Sequence, residues 1–165
     1  MCFMCDGGTY EQYQQLVADH IERFGWHIAG VEPEGMRPAW AYTIGMLERY
    51  EHPELIITGL CCFDCGQSVL NAVGRVVADG GRLAPGDEVV VRDRVVRIGS
   101  VHPRQWETDL FNFWWRRHEM LTMPPSPAAV QVIIADAHGR WQDDRANRRW
   151  RHERLDAAPH VGRRR

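Results

Sequence analysis

At 165 residues, with 44% apolar and 25% charged residues and a formal net charge of −2, the chain has the make-up of one globular domain. It is long enough to bury about 70% of the surface its unfolded form exposes. Disordered and fibrous classes are excluded on composition, and no apolar run approaches the roughly 20 residues of a membrane-spanning helix.

In chain order, "YEQYQQLVADHIERF" (10–24) repeats apolar residues at spacings of three and four, which predicts an amphipathic helix with Thr9 as its cap and Gly25 as its stop. "WHIAGVE" and "PAWAYTIGM" are short aromatic and β-branched runs on either side of the turn "PEGMRP", so neighbouring strands are predicted. "ELIITGL" is apolar throughout and reads as a central strand. "FDCGQSVLNAVGRVVADGG" predicts a second helix ended by a Gly pair. "DEVVVRDRVVRIGSV" gives two strands across the Arg92 to Arg94 turn. "LFNFWWRRHEM" gives a helix broken by "PPSP", and "AVQVIIAD" a last strand closed by "AHG". The expected fold is α+β: a mixed or mainly antiparallel sheet of about six strands with about three helices, packed on one face.

The charges divide along the chain. Residues 1–139 hold 11 Arg against 18 acids, 11 − 18 = −7, and residues 140–165 hold 9 Arg against 4 acids, 9 − 4 = +5. A single domain over 1–143 with an Arg-rich, solvated tail over 144–165 is expected. All 20 basic residues are Arg, which suggests a GC-rich, actinobacterial genome. The start lacks a basic region followed by an apolar core, so the expected compartment is the cytoplasm. There, five Cys read as thiols or metal ligands rather than disulfides.

"MCFMCD", "GWHIAGVE", "PAWAYTIGM", "HPELIITGL", "LNAVGRVVADGG" and "VQVIIADAHGRW" resemble, in order and wording, a bacterial family known as domain of unknown function 4262, from Cys2 to about Asp143. The resemblance implies no activity and supplies no catalytic residue. It implies that the opening Cys-x-x-Cys recurs in relatives, and that "CCFDC" stands where relatives carry a Pro-containing turn.

Five constellations could carry chemistry. Cys2 and Cys5 with Cys62 and Cys65 form two Cys-x-x-Cys pairs, a donor set suited to tetrahedral zinc or to iron. However, 56 residues lie between the pairs, against about 15 to 20 in compact zinc ribbons, and Cys61, Cys62 and Cys65 read equally as small core residues. Cys2 and Cys5 joined by other ligands, a His among them, is a second version of the site. A dithiol redox pair, or Cys2 as an N-terminal nucleophile, would make the protein a thiol-dependent enzyme. Trp40, Tyr42, Thr43, His52 and Glu54 could line a pocket in which Tyr42 or His52 acts. The plainer reading buries Trp40, Tyr42 and Ile44 on one strand face and makes His52-Pro53-Glu54 a turn whose Glu caps a helix or pairs with an Arg. Arg145, Arg148, Arg149 and Arg151, interleaved with Trp141 and Trp150, could hold a nucleic acid or an acidic protein, although the acidic body opposes a polyanion. Phosphate-loop, G-x-S-x-G and H-E-x-x-H motifs do not occur. The leading expectation is a cytoplasmic metal-binding domain built on Cys2-x-x-Cys5, followed by a thiol-dependent enzyme and by an interaction protein using its tail.

Overall fold

The computed structural model describes residues 7–33, 38–60, 63–92, 94–119, 126–135, 141 and 154–159. The first helix, α1 (Tyr10–Phe24), is bounded as its sequence predicts. Thr9 accepts from the Gln12 amide while the Gln12 side chain accepts from the Thr9 amide, and Gly25 closes the last turn at φ 92°. Strands β1 (His27–Val31) and β2 (Ala39–Ile44) follow as an antiparallel pair. A five-residue helix, α2 (Met46–Tyr50), then precedes β3 (Glu54–Leu60); it is too short to leave a periodic signal in the sequence. After α3 (Phe63–Ala78) come β4 (Glu88–Val91) and β5 (Arg94–Ser100). Two 3-10 turns, Pro103–Glu107 and Asp109–Phe111, lead into α4 (Asn112–His118), and β6 (Ala129–Ile134) is the last strand.

These strands form one mixed sheet in the order β1-β2-β3-β6-β5-β4, parallel only between β3 and β6. The α+β class and the central place of β3 agree with the sequence reading. The expectation of helices on one face is corrected, because the sheet is covered on both sides. Ala41, Leu55, Ile57, Val96, Ile98 and Val132 face α3, where they pack with Leu70, Val73 and Val77. Trp40, Tyr42, Ile44 and Ile56 face the other way, against Tyr13, Val17 and Ile21 of α1 and Trp106, Phe111 and Trp114. A strand between two apolar layers has no polar side to show, so all six residues of β2 are buried.

Part of the Arg-rich C-terminal segment is built into this second layer. Leu155 is fully buried; its amide donates to Gln131 Oε1 at 3.2 Å and its carbonyl accepts from the His102 amide at 2.6 Å. The Gln105 side chain reaches the Ala157 carbonyl at 2.8 Å. Residues 154–159 therefore lie against the body, a placement that their polar composition conceals.

Candidate functional site

β2 and β3 run antiparallel, and this brings Thr43, at the end of one, beside Glu54, at the start of the other. Between them Gly45, at φ 114°, turns the chain into α2 and offers no side chain to cap it. Glu54 takes that role from across the turn. Its carboxylate accepts from the amides of Gly45 (3.0 Å), Met46 (3.2 Å) and Leu47 (3.4 Å), from Thr43 Oγ1 (2.6 Å) and from Trp114 Nε1 (3.3 Å). All five partners are placed to donate, which suits the ionised form. Complete burial works against that form and outweighs the hydrogen bonds, raising the carboxyl to about 7.

The other pocket candidates are enclosed with it. Trp40 Nε1 donates to the Leu110 carbonyl, and Tyr42 Oη accepts from the Phe113 amide, with burial pushing its phenol up. His52 stands apart. Its Nδ1–H donates to the Pro53 carbonyl at 2.7 Å and its Nε2 accepts from the Leu83 amide at 3.1 Å, which fixes the neutral tautomer; burial lowers its pKa. The structure thus joins Thr43, Glu54 and Trp114 in one network, packs Trp40 and Tyr42 against it, and ties His52 to the start of the β4 approach. Of the cysteines, Cys65 is exposed in the first turn of α3. Cys2, Cys5 and Cys62 lie outside the described residues, as do Arg145, Arg148, Arg149 and Arg151. Among the described residues there is no group of three or more His, Cys, Asp and Glu able to hold a metal.

Two titratable groups were not singled out by sequence reasoning. On α1 and β1, His20 Nδ1 and His27 Nδ1 are 2.9 Å apart, and His27 Nε2 is 3.1 Å from Tyr13 Oη. The ring centroids of the two His are 5.1 Å apart, so the two nitrogens meet nearly head-on, with room for one proton between them. Burial, then the charge of His20, then that of Arg117 hold His27 down at about 4. On α2 and α4, Glu48 receives both Arg117 Nε (2.9 Å) and Arg117 Nη2 (3.0 Å). His118, fully buried and stacked on Trp114, places Nε2 3.2 Å from Glu48 and Nδ1 2.7 Å from the Trp114 carbonyl. The His118 imidazole foremost, then Arg117, hold the Glu48 carboxyl at about 2 against partial burial. A sequence signal for the first group existed: His20 lies seven residues after Tyr13 on the apolar stripe of α1, and β1 opens with a His. Nothing local links Glu48 to Arg117, 69 residues on.

Glu54, Trp114, His118, Glu48 and Arg117 form a continuous chain of contacts that the field of Arg117 extends to His27. Shifted carboxyls, those of Glu54 and Glu48, gathered with the shifted imidazole of His27 are the electrostatic mark of a functional region, and structural networks share it. A family model described as "Domain of unknown function (DUF4262)" matches residues 20–146. The match takes in both titratable groups, except Tyr13, and starts after Cys2 and Cys5. Among curated proteins and among solved structures, nothing matches.

Proposed function

The chain belongs to the DUF4262 family of domains of unknown function, and on that premise we propose that it is a metal-binding domain in which the thiolates of Cys2 and Cys5 hold zinc or iron. The observation that carries the reading is the Cys-x-x-Cys spacing, which lets one chain turn supply two soft ligands. Two groups of the body are suited to complete the site. Cys65 is exposed on α3. His20, when its Nδ1–H donates to His27, keeps an Nε2 lone pair directed away from that bond, the oriented imidazole that metal sites use. The reading requires a compartment that keeps thiols reduced, which is the cytoplasm.

The test is metal analysis of the full chain purified without a His tag. The expected result is about one zinc or iron per chain, lost in Cys2→Ser and Cys5→Ser; less than about 0.2 per chain overturns the reading. Cys65→Ser and His20→Gln then identify which group of the body completes the site. Absence of metal together with rapid alkylation of Cys2 or Cys5 at pH 7 would favour the thiol-dependent enzyme. Binding through the tail is tested by replacing Arg145, Arg148, Arg149 and Arg151 with Gln and not by truncation, because truncation also removes Leu155 from the core.

A further inference from the structure

The two edges of the sheet differ. β1 buries His27, Ile28 and Ala29, whereas β4 leaves Glu88 and Val90 exposed, and among the described residues no strand pairs with its outer side. The ladder fixes which of its backbone groups face outward. Just before β4, the Ile98 amide donates to the Asp87 carbonyl and the Gly86 amide to the Ile98 carbonyl, both at 2.8 Å. Bonded and non-bonded pairs alternate along an antiparallel ladder. Val89 and Val91 therefore bond to β5, and Glu88 and Val90 direct their amides and carbonyls away from it. The side chains of Val89 and Val91 pack on the α3 side, so that of Val90 stands on the opposite face. It is 69% exposed, and its cross-strand partner Val95 is 40% exposed. Sheet edges are commonly guarded by Pro, a bulge or a charge lying across them. From Val89 to Val91, β4 has three successive valines in unbroken register with β5, and the next residue, Arg92, donates its guanidinium to Ser68 of α3 at 2.8 Å.

We propose that β4 pairs with the β4 strand of a second copy of this chain, antiparallel and centred on Val90, joining two six-stranded sheets into one. Two features select a second copy over another extended partner. First, the strand is electrically self-complementary. Asp87 and Glu88 precede its valines, a charge of −2, and Arg92, Asp93 and Arg94 follow them, 2 − 1 = +1. An antiparallel copy sets each acidic end against the other's basic end, with Glu88 opposite Arg92, whereas a parallel copy would set like ends together. Second, centring on Val90 aligns Val95 and Val90 with the same two residues of the copy, a row of four valines across the joined sheet, and withdraws from water the pair that one chain exposes. The pairing is isologous and consumes the open edge of both copies, so assembly stops at the dimer. A four-residue strand on each side makes a contact smaller than a standard interface, and the dissociation constant should be about 10 to 100 μM.

The test is sedimentation equilibrium of the full chain in reducing buffer, from about 5 μM to about 1 mM. The expected result is a monomer–dimer equilibrium with no larger species. V90K sets two ammonium groups opposite each other, and V90P removes the outward amide while leaving the bonds to β5 in place. Each should hold the chain monomeric over the whole range, and because they act by different means, either suffices once a melt of the dilute variant shows it folded. E88R and R92E should each weaken association about fivefold or more, and the double variant E88R/R92E should restore it. F24S, at the exposed apolar residue remote from β4, should change nothing. A chain still monomeric at about 1 mM overturns the proposal. So do a dimer that persists in V90K or is lost in F24S, a double charge variant no tighter than the single ones, and assembly beyond the dimer.

Discussion

Glu54 is the residue on which the centre of the molecule depends, because three backbone amides at the start of α2, a hydroxyl and an indole all donate to one carboxylate. Glu54→Ala would leave those donors buried without an acceptor, so the variant should lose about 3 kcal/mol or more, read as a fall in midpoint in urea. Glu54→Gln keeps the shape and removes the titration, which isolates a pH effect of known sign. The carboxyl is at about 7 in the fold against an ordinary 4.5. Between these values the folded form therefore holds a proton that the unfolded chain has released. Relative to Glu54→Gln, the wild type should lose stability as pH rises from 4.5 through 7, by about 3 kcal/mol in all. Equal slopes for the two proteins would refute this. Thr43→Val tests the same network, since Thr43 Oγ1 also accepts from the Leu55 amide at 2.9 Å; a loss of about 1 to 3 kcal/mol is expected. The sequence made Glu54 a cap or an ion-pair partner through the turn chemistry of His-Pro-Glu. The short helix that it caps was hidden, because five residues carry no period.

Between elements, the junction of α1 with β1 is set by Tyr13, His27 and His20 as one hydrogen-bonded chain. The head-on nitrogens hold a single proton, since a second would bring two N–H groups face to face. The titratable and charged groups that meet there are His20 and Tyr13 from α1 and Arg117 from α4. Because His27 is held at about 4 against an ordinary 6.5, the unfolded chain takes up a proton first on acidification. The His27 contribution to stability is thus lost as pH falls from 6.5 through 4. The sign is opposite to that of Glu54. Between pH 7.5 and 5, wild type should lose about 2 kcal/mol more than His27→Gln, measured by chemical denaturation at both pH values; a smaller loss in wild type would reverse the assignment. A second junction depends on a missing side chain. A Cβ on Gly74 of α3 would lie 2.7 Å from Met46 Cε and 2.9 Å from Trp26 Cζ2. Gly74→Ala should therefore lower the melting temperature although Ala is the better helix former by about 1 kcal/mol. A rise in melting temperature would show that Met46 gives way.

Across the whole molecule, what the sequence disclosed was its local order. Caps and stripes located α1, the Gly pair closed α3, and the turns separated the strands. Hidden were the features that depend on contacts distant in the chain, such as Glu48 with Arg117 and the parallel pairing of β3 with β6 that places the later strands beyond the first three. Helices on both faces could have been inferred from β2, whose small residues Ala39 and Ala41 alternate with Trp40 and Tyr42, a pattern for two apolar layers rather than one. The C-terminal segment deceived for a related reason: composition averages over a window, and one Leu among Arg, Asp and Glu lowers that average very little. Yet Leu155 closes the aromatic layer that contains Trp106, Phe111 and Trp114, and its amide and carbonyl join β6 to the loop at His102. Leu155→Ala should cost about 2 to 5 kcal/mol, the range for emptying a fully buried Leu site. Deleting residues 154–165 should cost at least as much, because Gln131 Oε1 and the His102 amide would lose their partners as well. A solvated tail would instead allow both changes with no shift in the denaturation midpoint. Paired melts of the substitution and the deletion distinguish these outcomes, and a null result for Leu155→Ala would return the whole segment to solvent.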